Sequence, residues 1–361
     1  MTAAVSQNRA DPAALRLQGW RRRAAQLRGL EDCSLVVATY CRPREVATLL
    51  DNVAKLPDPP GEFLIVDGSP DRDTEEATTD WAPDRSAPFD LIYVRSPAGL
   101  TRQRNVGIEA STREIVFFLD DDCEPLPGYF GAMRGVFRED RKGEIGAAGA
   151  SIVNEMGLPL SRRWRLRFLL HLVPRGEPRR YYPMATSVPS TLQPRFSGNR
   201  VVDMVPGGAS AFRRAVFDRH RFSLFFDGYA QGEDLEMSLR VGREWKIVWC
   251  GDAHVRHWHA LGGRPGTFAK GKMEVRNRFF IWRRHSPDAS LADKCRFWLD
   301  VAYIFGYDLA AYCAHPFSGA RLALAMGIAS GAVSCILRPP RYEEPRVRRT
   351  FEFDLAERPA S

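Results

Sequence analysis

The chain contains no pair of cysteines at C-x-x-C spacing, and its seven cysteines are scattered without the intervals of a zinc site. That excludes a zinc ribbon or a disulfide scaffold and leaves reduced packing thiols, as in a cytoplasmic protein. The N-terminal stretch lacks the apolar core of a secretory signal, so export is not expected. Long apolar runs are missing too. Leu322 to Leu337 is a 16-residue uncharged run between Arg321 and Arg338, short of the roughly 20 residues that span a bilayer. There is no internal repeat and no long low-complexity segment. Acidic residues are outnumbered, 44 against 52 Lys and Arg, giving a net charge of +8. Such a balance favours anionic partners: nucleoside diphosphates, lipid headgroups or nucleic acid. No DNA- or RNA-binding motif is present, so nucleic acid is not an expected partner.

What is present is a βα rhythm. "SLVVATY", "EFLIVDG", "DLIYVRS" and "EIVFFLDDD" read as strands, separated by the helical stretches "RPREVATLLDNVAKL" and "GLTRQRNVGIEAS" and others like them. Strands alternating with helices every 20 to 30 residues predict a mostly parallel, doubly wound α/β sheet with helices on both faces. Residues 1–31 read as a basic helical segment, "ALRLQGWRRRAAQLRGL". The catalytic domain is expected over 32–285, a helical and membrane-associating region over 286–340, and a tail over 341–361. Residues 145–205 are less regular and could carry a flap over a site.

Two acidic sites stand out. Asp120, Asp121 and Asp122 follow the apolar segment Ile115 to Leu119, at the strand end where open α/β sheets bind ligands. Clustered carboxylates are hard ligands suited to Mg²⁺ or Mn²⁺, which in turn hold diphosphates. The alternative is a solvated acidic turn. Glu233 and Asp234 open the helix "EDLEMSLRV". Acids cap helix N-termini, yet one of such a pair can face a pocket as a general base.

In order and spacing these pieces resemble the family-2 glycosyltransferases, enzymes of GT-A fold, from about Ser34 to Pro287. "SLVVATYCRP" is similar to that family's first strand and turn, with Cys41 where Asn is usual. "FLIVDGSPD" resembles its Asp-Asp-Gly-Ser strand end with one Asp missing. "AGLTRQRNVGIEAS", "FFLDDDCEPLPGYF" and "GEDLEMSLRV" match its donor-side helix, its metal-binding DxD motif and its catalytic acids. The resemblance implies that Thr39 and Tyr40 contact base or ribose, that Asp67 accepts a hydrogen bond from the base, and that Arg104 supports base or phosphate. It places Asp120 and Asp121 near ribose and metal, with Asp122 as the direct ligand. It makes Asp234 the catalytic base and Glu233 its neighbour in the acceptor pocket. His257, in "AHVRHWH", is implied to touch the metal or a phosphate, with His254 and His259 as alternatives and neutral packing as the bland reading.

The implied activity is Mn²⁺- or Mg²⁺-dependent transfer of a sugar from a nucleoside diphosphate to a hydroxyl, with inversion. Glycan, lipid-linked and small-molecule acceptors all fit, as in cell-envelope synthesis. The Arg-rich, apolar C-terminal region suits peripheral contact with the inner face of the cell membrane. The motifs of processive polysaccharide synthases are missing, so one sugar per binding event is expected. The rival readings are a basic nucleic-acid or membrane-binding module and an inactive GT-A-like protein. A P-loop is disfavoured because "GTFAKGKM" has Met273 where Mg²⁺ needs Ser or Thr.

Overall fold

The computed structural model describes residues 15–81, 87–226, 228–260, 262, 264–315, 319–341 and 350–358. The chain begins with strand β1 (Leu15–Arg22), then runs β2 (Leu30–Thr39), α1 (Pro43–Ala54), β3 (Pro60–Asp67), α2 (Asp73–Trp81), β4 (Asp90–Arg95), α3 (Leu100–Ala110) and β5 (Ile115–Leu119). Pro43 starts α1, where its missing N–H costs nothing, and Val46, Leu49, Leu50 and Val53 form its buried face. All eight residues of β3 are buried, as expected of a parallel strand covered on both sides.

The second half is β6 (Cys123–Pro125), α4 (Tyr129–Glu139), β7 (Ile145–Ile152), α5 (Arg162–Leu169), the small β8 (Tyr181–Tyr182) and β9 (Thr186–Ser187) pair, β10 (Asn199–Val202), β11 (Ala209–Arg213), α6 (Glu233–Val241) and β12 (Lys246–His257). Three helices follow, α7 (Thr267–His285), α8 (Leu291–Ala314) and α9 (Gly319–Leu337), and then β13 (Phe351–Arg358).

One large sheet has the order β10-β12-β7-β11-β5-β2-β3-β4-β1-β13, with β6 on β12. Strands β5-β2-β3-β4 are mutually parallel and form the doubly wound part. Beyond β5 the sheet becomes mixed, because β11 inserts antiparallel between β5 and β7. Alternate side chains feed separate cores on the two faces: Val37 and Phe117 belong to one, Val36 and Phe118 to the other.

Two segments differ from the sequence expectation. Residues 15–22 form a strand, not a basic helix: β1 pairs antiparallel with β4 and parallel with β13. Gly19 permits the approach, since a Cβ there would lie 2.0 Å from the carbonyl oxygen of Tyr93. Trp20 stacks on Tyr93 at 5.8 Å between centroids and is almost fully buried. The expected tail also contains a strand. In "FEFDLAER", Phe351, Phe353 and Leu355 pack on the core while Glu352 and Asp354 face water. A pairing between the two ends of the chain leaves no local signature, so the arginines of 15–22 suggested a helix instead.

The P-loop-like glycines serve helix packing. Gly266 caps α7, and a Cβ on Gly271 would lie 2.4 Å from the carbonyl oxygen of Leu324 in α9. Helix α7 joins two regions: Phe280 packs toward the loop before α6, and Val275 and Phe279 toward α8 and α9.

Candidate active site

At the carboxyl ends of the parallel strands lies a cavity of about 590 Å³, lined by residues from both acidic sites. Asp120, Asp121, Asp122, Glu233 and Asp234 all face it, although more than a hundred positions separate the two sets. This convergence is what the resemblance required.

The turn after β5 fans its three carboxylates in different directions. Asp120 accepts from Arg104 Nη2 at 3.2 Å. Asp121 turns toward β2, accepting from Thr39 Oγ1 at 2.8 Å and Arg42 Nη1 at 2.6 Å. Burial pushes its carboxyl up to about 6, even against the pull of Arg42. Asp122 accepts from the Ala260 N–H at 2.8 Å and meets His257 Nε2 at 3.2 Å. Burial raises its carboxyl, but His257 and the Ala260 N–H outweigh that and hold it below the ordinary range.

Sheet register explains why His257 reaches Asp122. Strand β6 continues directly from the aspartates and pairs antiparallel with the end of β12, setting His257 opposite Cys123. The Trp258 N–H then donates to the Asp122 carbonyl at 3.0 Å. His257 Nδ1 lies 3.3 Å from Glu155 Oε1, and His259 Nε2 lies 2.9 Å from the same atom. Burial disfavours the charged imidazole, yet Asp122 and Glu155 raise His257 to about 10. His254 lies further back on β12, opposite Ser151, and does not line the cavity.

These residues fit a divalent cation. An Asp122 oxygen, His257 nitrogen and Cys123 sulfur lie within 4.8 Å of one another. Burial and the neighbouring carboxylates keep the Cys123 thiol well above its usual range, hence protonated, and it points at the Gly208 carbonyl 3.5 Å away. Carboxylate and imidazole remain as donors, a set suited to Mn²⁺ or Mg²⁺, and a bound cation would displace the proton that Asp122 and Glu155 hold on His257. Glu155 at the far nitrogen of His257 is the usual outer partner that orients a ligating imidazole.

The second acidic site starts α6. Gly232, with φ of 88°, turns the chain into the helix. Glu233 Oε1 accepts from Arg104 Nη1 at 2.8 Å, so one buried guanidinium spans both acidic sites. Asp234, half-buried, accepts from the N–H groups of Gly207 at 3.2 Å and Leu235 at 2.7 Å. Burial and the adjacent Asp234 charge push Glu233 up to about 7, and burial raises Asp234 as well. Gly207 and Gly208 sit between the two sites. A Cβ on Gly208 would fall 2.1 Å from Asp120 Oδ2, and one on Gly207 would fall 2.9 Å from Arg104 Nη1.

Other implied roles meet the structure unevenly. Thr39 and Tyr40 line the cavity, Tyr40 with its ring well exposed. Arg104 lines it too, but its side chain is engaged by Glu233 and Asp120, which makes it a brace between the acids. Asp67, expected to accept from the base, stands apart from these residues. It does not line the cavity, and its oxygens are taken by the Ser69 N–H at 2.8 Å and the Tyr93 hydroxyl at 2.6 Å. A buried carboxylate at a strand end is stabilised by such donors, so Asp67 shapes the turn.

Four features escaped the sequence reading. Arg42 stood inside the quoted "TYCRP" and reaches Asp121, Asp122 and the carbonyls of Ala260 and Gly262. The Gly207–Gly208 pair was visible as a glycine doublet before a strand. Glu155 carried no local signal at all. Gln103, next to Arg104, ties two strand ends together by donating to the carbonyls of Thr39 at 2.7 Å and Val66 at 2.8 Å.

Comparison with known proteins identifies the family and the fold. The model of the family described as "Glycosyl transferase family 2" matches residues 34–221, just over half of the chain. Human polypeptide N-acetylgalactosaminyltransferase 13 is 27% identical over 234 residues, which cover 60% of this chain and 39% of that protein. The chain thus spans about two-fifths of the length of this curated relative. Among solved structures, a mannosyltransferase from Pyrobaculum calidifontis in complex with GDP-Man and Mn²⁺ superposes with TM-score 0.52 at 16% identity, covering 87% of this chain and 90% of that one. GalNAc-T7 with UDP, GalNAc and Mn²⁺ gives 0.50 at 15% identity, covering 75% and 55%. Those likenesses show a shared fold, the aspartate-bearing turn lies within the matched span, and the chain belongs to glycosyl transferase family 2.

Proposed function

We propose that this chain transfers a sugar from a nucleoside-diphosphate donor to an acceptor hydroxyl, with inversion and with dependence on Mn²⁺ or Mg²⁺. The observation that carries the reading is the single cavity joining Asp122 and His257 on one side to Asp234 on the other. Asp122 and His257 would hold the cation. When bound, the ion supplies positive charge to the departing diphosphate. Thr39 and Tyr40 stand where a nucleoside can rest, and Arg42 and Arg264 bring guanidinium groups to the cavity for the diphosphate.

Asp234 would take the proton of the acceptor hydroxyl as its oxygen bonds to the anomeric carbon. The bond from that carbon to the phosphate oxygen breaks on the opposite face, and the nucleoside diphosphate leaves. One displacement inverts the anomeric centre. The raised Asp234 and Glu233 carboxyls suit proton transfer nearer neutrality. Arg104 keeps the two acidic sets in register.

The acceptor is a glycan, a lipid-linked sugar or a small molecule of cell-envelope synthesis, met at the cytoplasmic side of the membrane. The seven free cysteines support a reducing compartment. Incubating the protein with UDP-, dTDP- and GDP-sugars, with and without Mn²⁺, and reading the product's anomeric configuration by NMR tests this. Retention of configuration, or equal turnover in excess chelator, would overturn it.

A further inference from the structure

The polarity of α8 is inverted relative to a helix that faces water. From Phe297 to Ala314 its only charged groups are Asp300 and Asp308, and both are buried. Asp300 accepts from Arg167 at 2.7 Å and Arg278 at 2.8 Å; Asp308 accepts from Arg321 at 2.5 Å. The outward residues, at helical steps of three and four, are Leu299, Ala302, Gly306, Ala310 and Cys313. All are uncharged.

Helix α9 carries a single charge, the exposed Arg321 near its start, whose guanidinium reaches Asp308 of α8. By length and composition it is apolar enough to cross a membrane, and only 28% of its most apolar window is buried. Its inner face is spent on α7: a Cβ on Gly327 would lie 2.1 Å from the Phe268 carbonyl oxygen, and one on Gly331 2.8 Å from that of Lys272. Its glycine pair therefore has a partner within the chain. On the other side Met326, Val333, Ile336 and Leu337 are 51%, 53%, 65% and 74% exposed. Helices joined by so few residues pack antiparallel. The antiparallel hairpin then sets Lys294 and Arg296, the latter 3.5 Å from Asp293, at the same end as Arg338 and Arg341, all four exposed.

We propose that the outer face of the α8–α9 hairpin is a monotopic insertion surface for an anionic lipid bilayer. Apolar side chains would enter the acyl region and the basic end groups would meet lipid phosphates. Crossing is disfavoured because α9 is clamped to α7, whose exposed Lys270 and Lys272 belong in water. Charge complementarity favours lipid over a second copy of this chain, whose matching face would carry the same basic end groups. The inference rests on the reading above only in setting the cleft beside a membrane-held acceptor.

The test is flotation of the full chain with phosphatidylcholine vesicles, alone or mixed with phosphatidylglycerol. The expected result is binding to the anionic vesicles with a fraction that resists a high-salt wash. Quenching by brominated lipid of a dye on Cys313 is expected as well, in protein whose other exposed cysteines, Cys41 and Cys295, are replaced by serine. The double substitution Val333→Glu and Ile336→Glu should lower partitioning about tenfold or more, since it removes buried apolar area, without changing the melting temperature or donor binding. Protein that stays in solution, or is fully stripped by salt, overturns the insertion. So does a concentration-dependent dimer in sedimentation velocity that the same double variant abolishes. Lost transfer with intact flotation would count against the proposed function alone, and lost flotation with intact donor binding against this inference alone.

Discussion

Two buried arginine–carboxylate clusters in this protein are built with opposite charge balance. Under the C-terminal helices, Asp300 stands between Arg167 and Arg278, two cations to one anion. Burial raises its carboxyl, but the two guanidinium groups outweigh that and hold it below the usual range. In the cleft, among the described residues, Arg104 alone serves Asp120 and Glu233, with Asp234 beside them. Here burial wins, and Glu233 rises to about 7. The first cluster is closed and structural. The second keeps a surplus of negative charge, the condition for holding a cation and receiving a proton.

The contrast can be broken by substitution. The largest effect is expected from Asp234→Asn, which should lower turnover by about 10² to 10⁴-fold, the worth of a positioned general base. Donor binding, measured by calorimetry, should persist. Near-normal turnover would remove Asp234 from the mechanism. Asp300→Ala should act on stability instead. Leaving the buried Arg167 and the half-buried Arg278 without their carboxylate is worth about 3–5 kcal/mol, read as a lower urea midpoint. An unchanged midpoint would mean the helical cluster is not structural.

A smaller effect is expected from Glu155→Gln. If Glu155 orients His257, Mn²⁺ affinity should fall by about 10- to 100-fold, with the unfolding midpoint unmoved. Equal affinity in both proteins would detach Glu155 from the metal site. The smallest effect is in pH dependence. Glu233 binds its proton more tightly folded than unfolded, so its contribution makes stability fall as pH rises from the ordinary value of 4.5 toward about 7. Glu233→Gln should flatten the stability profile across that window, whereas a change at Asp300 should act mainly at lower pH. An unaltered slope between pH 4.5 and 7 would contradict the raised Glu233 carboxyl.

Legibility in the sequence followed the range of the interactions. Strands β2 to β5 announce themselves because each is a short apolar run followed by a helix, and that signal is local. The acids at their ends were readable for the same reason. Glu155 was not, because its meaning comes from two histidines a hundred positions later, delivered by the end of β12. The partners of Asp67 were not legible because a motif letter does not say which way a carboxylate turns. Tyr93 and Ser69 decided that.

By itself the amino-acid sequence determined the βα framework, the two acidic sets and their order along the chain, since periodicity and strand-end chemistry are written in neighbouring residues. Only the tertiary structure decided that β1 and β13 pair, that Arg104 spans both acidic sets, and that α8 turns Asp300 and Asp308 inward. Each of these depends on contacts between segments far apart in the chain, and burial there sets both the direction of a side chain and the proton affinity of a carboxylate.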